Sequence, residues 1–113
     1  MTTAADPTTA PERRVAARRQ PAMGTVYRID PPGDGPDLGL VWNISVTGLS
    51  MLLPAPRPSG SRLSGVLETM TDGHALPVAM RVVHVKLLET GDYFVGGHLD
   101  RPLTEDEIKP FVA

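Results

Sequence analysis

The 113-residue sequence predicts an all-β fold: a six-stranded antiparallel barrel followed by a short C-terminal helix. Three observations predict it. Six short apolar runs are separated by turns and loops, where most of the 12 prolines and 11 glycines gather. Two of the junctions have the spacing of a hairpin. A capping-box pattern follows the last run. Closure into a barrel is favoured over an open sheet because it leaves no exposed strand edge.

The first strand is expected over Met23–Asp30, carried by Val26, Tyr27 and Ile29. The run from Asp30 to Asp37, with three prolines and two glycines, reads as a loop. The second strand is Leu38–Ile44 and the third Leu49–Leu53, joined through the polar turn Asn43-Ile44-Ser45-Val46-Thr47-Gly48. Pro54–Ser61 is a second proline-rich loop. Leu63–Thr71 is the fourth strand, and Asp72-Gly73-His74 turns the chain into the fifth, Val78–Leu88. Glu89-Thr90-Gly91 turns it again into the sixth, Asp92–Leu99. Thr104 then stands as N-cap with Glu107 three residues on, and acidic residues in the first turn suit the helix dipole. Pro110 limits this helix to a turn or two.

Hydrophobic residues are 41% of the chain and aromatic residues only 4%, so the core must be mainly aliphatic. The length fits one domain, assigned to residues 12–113. Residues 1–11 are mostly Thr, Ala and Pro and are expected to be a disordered tail, because they cannot bury enough apolar surface to offset their ordering entropy. They contain neither the basic nor the apolar region of a secretory signal. The most apolar stretch, Val78–Leu88, is interrupted by Arg81, His84 and Lys86, so membrane insertion is not expected and the assigned location is cytoplasmic. With no cysteine, disulfides and thiolate metal sites are excluded.

The formal net charge is -2, yet Arg13, Arg14, Arg18 and Arg19 crowd into seven residues. A local positive patch on a mildly acidic chain suits a small anion better than a long polyanion. These arginines repel one another, so the chain before Ala22 is expected to order only when an anion neutralises them. Within the patch, Arg14 and Arg18 are four residues apart, and guanidinium groups fit phosphate oxygens and the Hoogsteen edge of guanine. Solvated charge on a flexible arm is the plainer reading of the same residues. In Asn43–Gly48, Asn43 and Ser45 alternate with Ile44 and Val46 and should project together. Gly48 admits a positive φ or a close approach of a ligand. An ordinary polar turn is the plainer reading here. Neither GxSxG, a P-loop, paired carboxylates nor a metal-binding histidine spacing occurs, so an enzyme or a metal site is not expected.

RxxxR followed by [D/N]xSxxG resembles the PilZ family. Similar to it also are Gly48-Leu49-Ser50-Met51, Arg81-Val82-Val83-His84, the run Tyr93–Leu99 and the helix start Pro102–Glu107, so the resemblance spans Glu12 to Val112. It departs where His84 replaces a larger or basic stacking residue and Leu99 replaces Phe. The resemblance implies a PilZ-like split barrel that acts as a non-enzymatic receptor for cyclic di-GMP in bacterial second-messenger signalling. Arg14 and Arg18 would hold phosphates and guanine edges. Asn43, Ser45 and Gly48 would hold a guanine, and His84 would stack on a base. Arg13, just before the motif, resembles the type that binds two ligand molecules per chain. The ligand takes the place of any cofactor, and a single small domain would act through a protein partner yet to be identified. DNA or RNA binding by a small β-barrel is disfavoured by the scarcity of aromatics and the acidic remainder. A ligand-independent interaction domain on the PilZ scaffold would lack the two motifs.

Overall fold

Short apolar runs bounded by proline- and glycine-rich turns settle the strands. The computed structural model describes residues 17–30 and 38–113. Six strands are present: β1 (Thr25–Ile29), β2 (Leu38–Ile44), β3 (Gly48–Leu53), β4 (Arg62–Thr69), β5 (Ala75–Leu87) and β6 (Tyr93–Leu99). They close into an antiparallel barrel in the order β1-β2-β3-β6-β5-β4. A short helix α1 (Glu105–Ile108) and a 3-10 turn over Lys109–Phe111 follow.

The expected strands are all found, and their ends shift by a few residues. The largest shift is in β5, which begins three residues before Val78 and includes Pro77. Proline cannot donate to a ladder and is tolerated where a strand has a free side. That condition holds here. Residues 75–79 of β5 pair with β4 alone, and residues 82–87 pair with β6 alone. Only Met80 and Arg81 have a strand on both sides. Neighbouring chain continues the ladder where a strand is missing. Asp100 N–H donates to Ala79 O at 2.9 Å, and the loop before β4 exchanges bonds with Val82 through Gly60 and Ser61. At the β4–β5 hairpin, Gly73 takes φ +73°, a region that L side chains rarely enter.

The interior is aliphatic, as composition requires. Ile44, Met51, Leu53, Leu67, Met80, Val82 and Val95 are essentially inaccessible. Tyr27 is the one large aromatic among them, and its hydroxyl donates to Val78 O at 2.9 Å. Burial, with Asp100 nearby, pushes its pKa far above the usual tyrosine value, so it stays a neutral donor. Leu103, Ile108 and Phe111 enter the same core from the C-terminal segment. Thr104 caps α1 as expected. Its hydroxyl accepts the Glu107 N–H at 3.0 Å, and the Glu107 carboxylate accepts the Thr104 N–H at 2.9 Å.

The described part of the N-terminal chain pairs with the barrel through its backbone. Arg19 exchanges two backbone hydrogen bonds with Ile44, at 2.8 and 3.0 Å. Ala22 N–H donates to Phe111 O, and Ala113 N–H donates to Gln20 O. Backbone hydrogen bonds therefore join residues 19–22 to the end of β2 and to the C-terminal segment. Arg13, Arg14 and the tail 1–11 lie outside the described residues.

Candidate functional site

Two β-bulges create the site. Val41 pairs with Met51 and Asn43 with Ser50, leaving Trp42 as the extra residue in β2. Val82 pairs with Gly97 and His84 with Gly96, leaving Val83 as the extra residue in β5. Strict alternation from the buried Val41 would send Asn43 into the core, and from the buried Val82 it would do the same to His84. Each bulge shifts the alternation by one and re-aims the next side chain outward. Asn43, Ser50, Gly96 and His84 thereby form one rung across β2, β3, β6 and β5. The extra residues themselves, Trp42 and Val83, are exposed.

Over this rung lies an open groove of about 690 Å³. Its walls include Arg18, Asn43, Ser45, Gly48 and His84, from three well-separated parts of the sequence. Asn43 Oδ1 accepts the Ser50 hydroxyl at 2.8 Å. That fixes the amide and leaves its NH₂ group and one oxygen lone pair for a ligand. Ser45 is buried, and its hydroxyl oxygen accepts the N–H groups of Gly48 at 3.0 Å and Thr47 at 3.2 Å. Its first role is therefore to shape the turn. Gly48 does not take a positive φ. What it provides is close approach: a Cβ there would lie 3.1 Å from Gly97 O of the adjoining strand. His84 meets Phe94 edge-on, with ring centroids 6.0 Å apart.

The electrostatics favour an anion. No carboxylate lines the groove among the described residues. Arg19, beside Arg18 in sequence, spends its charge on Glu105. Arg28, Arg62 and Arg101 are likewise paired with Glu68, Asp100 and Glu107. Arg18 is exposed at the groove with no such partner among the described residues. Its position follows from the Arg19–Ile44 bridge, which lays the arm along the end of β2.

Ser50, Phe94 and His98 also line the groove; they lie in strand runs outside the two signature motifs. His98 was unremarkable in sequence because its groove neighbours come from other strands. Counting across β3–β6 would have found it, but that pairing joins strands distant in the chain. Among the described residues no helix is long and apolar enough to cross a membrane.

No protein-family model matches the chain, and no curated protein matches it. Solved structures do. The MrkH–c-di-GMP complex of K. pneumonia is similar with a TM-score of 0.61 at 16% identity, over 85% of this chain and 47% of that one. The Bacillus subtilis inhibitor of motility (MotI/DgrA) is similar with a TM-score of 0.61 at 14% identity, over 87% of this chain and 47% of that one. The chain thus spans about half the length of either. At such identities the likeness establishes the barrel fold.

Proposed function

We propose that the chain is a PilZ-type receptor that binds cyclic di-GMP in this groove and performs no chemistry on it. The observation that carries the reading is convergence. Arg18 of the RxxxR motif, the Asn43–Gly48 turn and His84 surround one groove that, among the described residues, has no carboxylate in its walls and no ion-pair partner for Arg18. The likeness to a solved c-di-GMP complex supports the same ligand class. Arg18 would take a phosphate, Asn43 a guanine edge, and the Ser45–Gly48 turn would hold the shape of the pocket. His84, propped by Phe94, would stack on a base. Arg13 and Arg14 are assigned to the ligand by their motif alone, Arg13 as the residue that favours a second ligand molecule. Signalling would pass to a protein partner.

The test is calorimetry of the purified protein with cyclic di-GMP, GTP and short single-stranded oligonucleotides in parallel. Cyclic di-GMP should bind at micromolar dissociation constant or tighter, about -8 kcal/mol. It should saturate at two ligands per chain, and the other two probes should be far weaker. Absence of heat at tens of micromolar cyclic di-GMP would reject the reading, and preference for the oligonucleotides would replace it with a nucleic-acid barrel.

A further inference from the structure

His98 lines the groove but belongs to neither motif. It points outward from β6, two residues beyond Gly96, which is the cross-strand partner of His84. His84 and His98 are therefore diagonal neighbours on one face, a relation that brings side chains to within reach of a shared ligand. Gly96 contributes no side chain between them. Both imidazoles are exposed, and both look into the groove that Arg18 enters from the other side.

We propose that His98 is a ligand-binding residue, and that with Arg18 and the N–H edge of His84, whose ring face stacks on the base, it forms a proton-dependent cradle for the phosphates of the bound dinucleotide. The proposal rests on the receptor reading and deepens it. Imidazole is the side chain that gains a positive charge near neutral pH. Among the described residues no carboxylate lines the groove, so that charge has no ion-pair partner there until an anion enters. The charged groups around the pair support this. On β5, Arg81 is the direct partner of His98, and its guanidinium donates to Gly60 O at 3.0 Å. Lys86 lies two residues beyond His84 on the same strand, and Gly48 on β3 brings no charge. The nearest acid on the β6 side, Asp100, is bound to Arg62, and Glu105 is bound to Arg19. Among the described residues the charged neighbours of the two imidazoles on these strands are cations without a carboxylate between them, and a phosphate reverses that balance. Binding an anion must then favour the protonated imidazoles. By linkage the complex takes up protons, so affinity rises as pH falls through the histidine range. The phosphodiesters and guanines of the ligand keep their charge over this range, so the effect belongs to the protein.

The experiment is titration of the full chain with cyclic di-GMP by calorimetry from pH 8 to pH 5.5, in buffers of differing ionisation heat. The parent should bind roughly tenfold tighter at the acid end and take up protons as it binds. His98→Gln should lose much of the acid gain. The double variant His84→Gln/His98→Gln should show a flat profile, while Arg18→Ala should be weaker at every pH with the slope kept. All these positions are exposed, so folding is not at stake. A parent that binds at pH 8 with a flat profile, or a slope that persists in the double variant, overturns the proposal and leaves the receptor reading standing. No binding at any pH overturns both.

Discussion

At the scale of the residue, the site divides into side chains the fold uses and side chains it leaves free. Arg18 is of the second kind. Arg18→Ala should cost about 1.5–3 kcal/mol of binding, one charged hydrogen bond, with an unchanged melting temperature. Calorimetry and a thermal melt check the two halves separately, and an unfolded variant would make the arm structural. Ser45 is of the first kind, since its buried hydroxyl accepts two turn N–H groups. Ser45→Ala leaves those donors unsatisfied and should cost about 1–3 kcal/mol of stability. Affinity should fall with it, because Gly48 and Asn43 lose their relative positions. If the variant binds weakly yet melts as the parent does, Ser45 touches the ligand directly and the turn is self-supporting.

At the scale of the element, the C-terminal helix is too short to hold itself and depends on its cap. The Glu107 carboxylate is drawn down to about 2 from the usual 4.5, chiefly by Arg101 and next by the Thr104 N–H. A carboxyl whose pKa is lower in the folded chain contributes stability above its unfolded value and loses it as pH falls through the folded one. The helix should therefore loosen between about pH 4.5 and pH 2. Glu107→Gln should remove that part of the acid transition while retaining a weaker cap. Melting temperatures measured across this window compare the two, and superimposable acid profiles would deny Glu107 the role. The ion pair Arg19–Glu105 ties the same helix to the arm, but both groups are exposed, so it adds little to stability.

At the scale of the whole molecule, the two ends of the barrel chain clasp each other. Pro21 bridges Val112, Ala22 donates to Phe111, and Arg19 is stitched to the end of β2. The segment that carries Arg18 is thus anchored through the C-terminal core residues Ile108 and Phe111. Amide exchange should be slow at Arg19, Ala22, Ile44 and Ala113 in the ligand-free protein, whose N–H groups are all bonded. Addition of cyclic di-GMP should slow exchange further only on the N-terminal side of Arg19. Fast exchange at Arg19 and Ile44 without ligand would mean that the ligand, not the fold, closes the arm onto β2.

Much of this architecture could be read without coordinates, because local rules govern it. The six strands follow from short apolar runs bounded by proline and glycine at the turns. The α1 cap follows from Thr104 and Glu107, three residues apart. The turn Asn43–Gly48 and Arg18 are identifiable as motif residues in order along the chain. Their meeting in space is not. Alternation carried on from Val41 and Val82 aims Asn43 and His84 at the core, and only the bulges at Trp42 and Val83 turn them outward. A bulge is set by how one strand must bend to match its neighbours around a closed barrel, which no local pattern encodes. The pairing of β3 with β6 is equally non-local, and it alone brings Ser50, Gly96 and His98 beneath the arm. Sequence by itself determined which motif side chains, Arg18 and the Asn43–Gly48 turn, are available to a ligand. Closure of the barrel decided which of them share a groove, because register between strands distant in the chain is fixed by packing the core and not by any neighbouring residue.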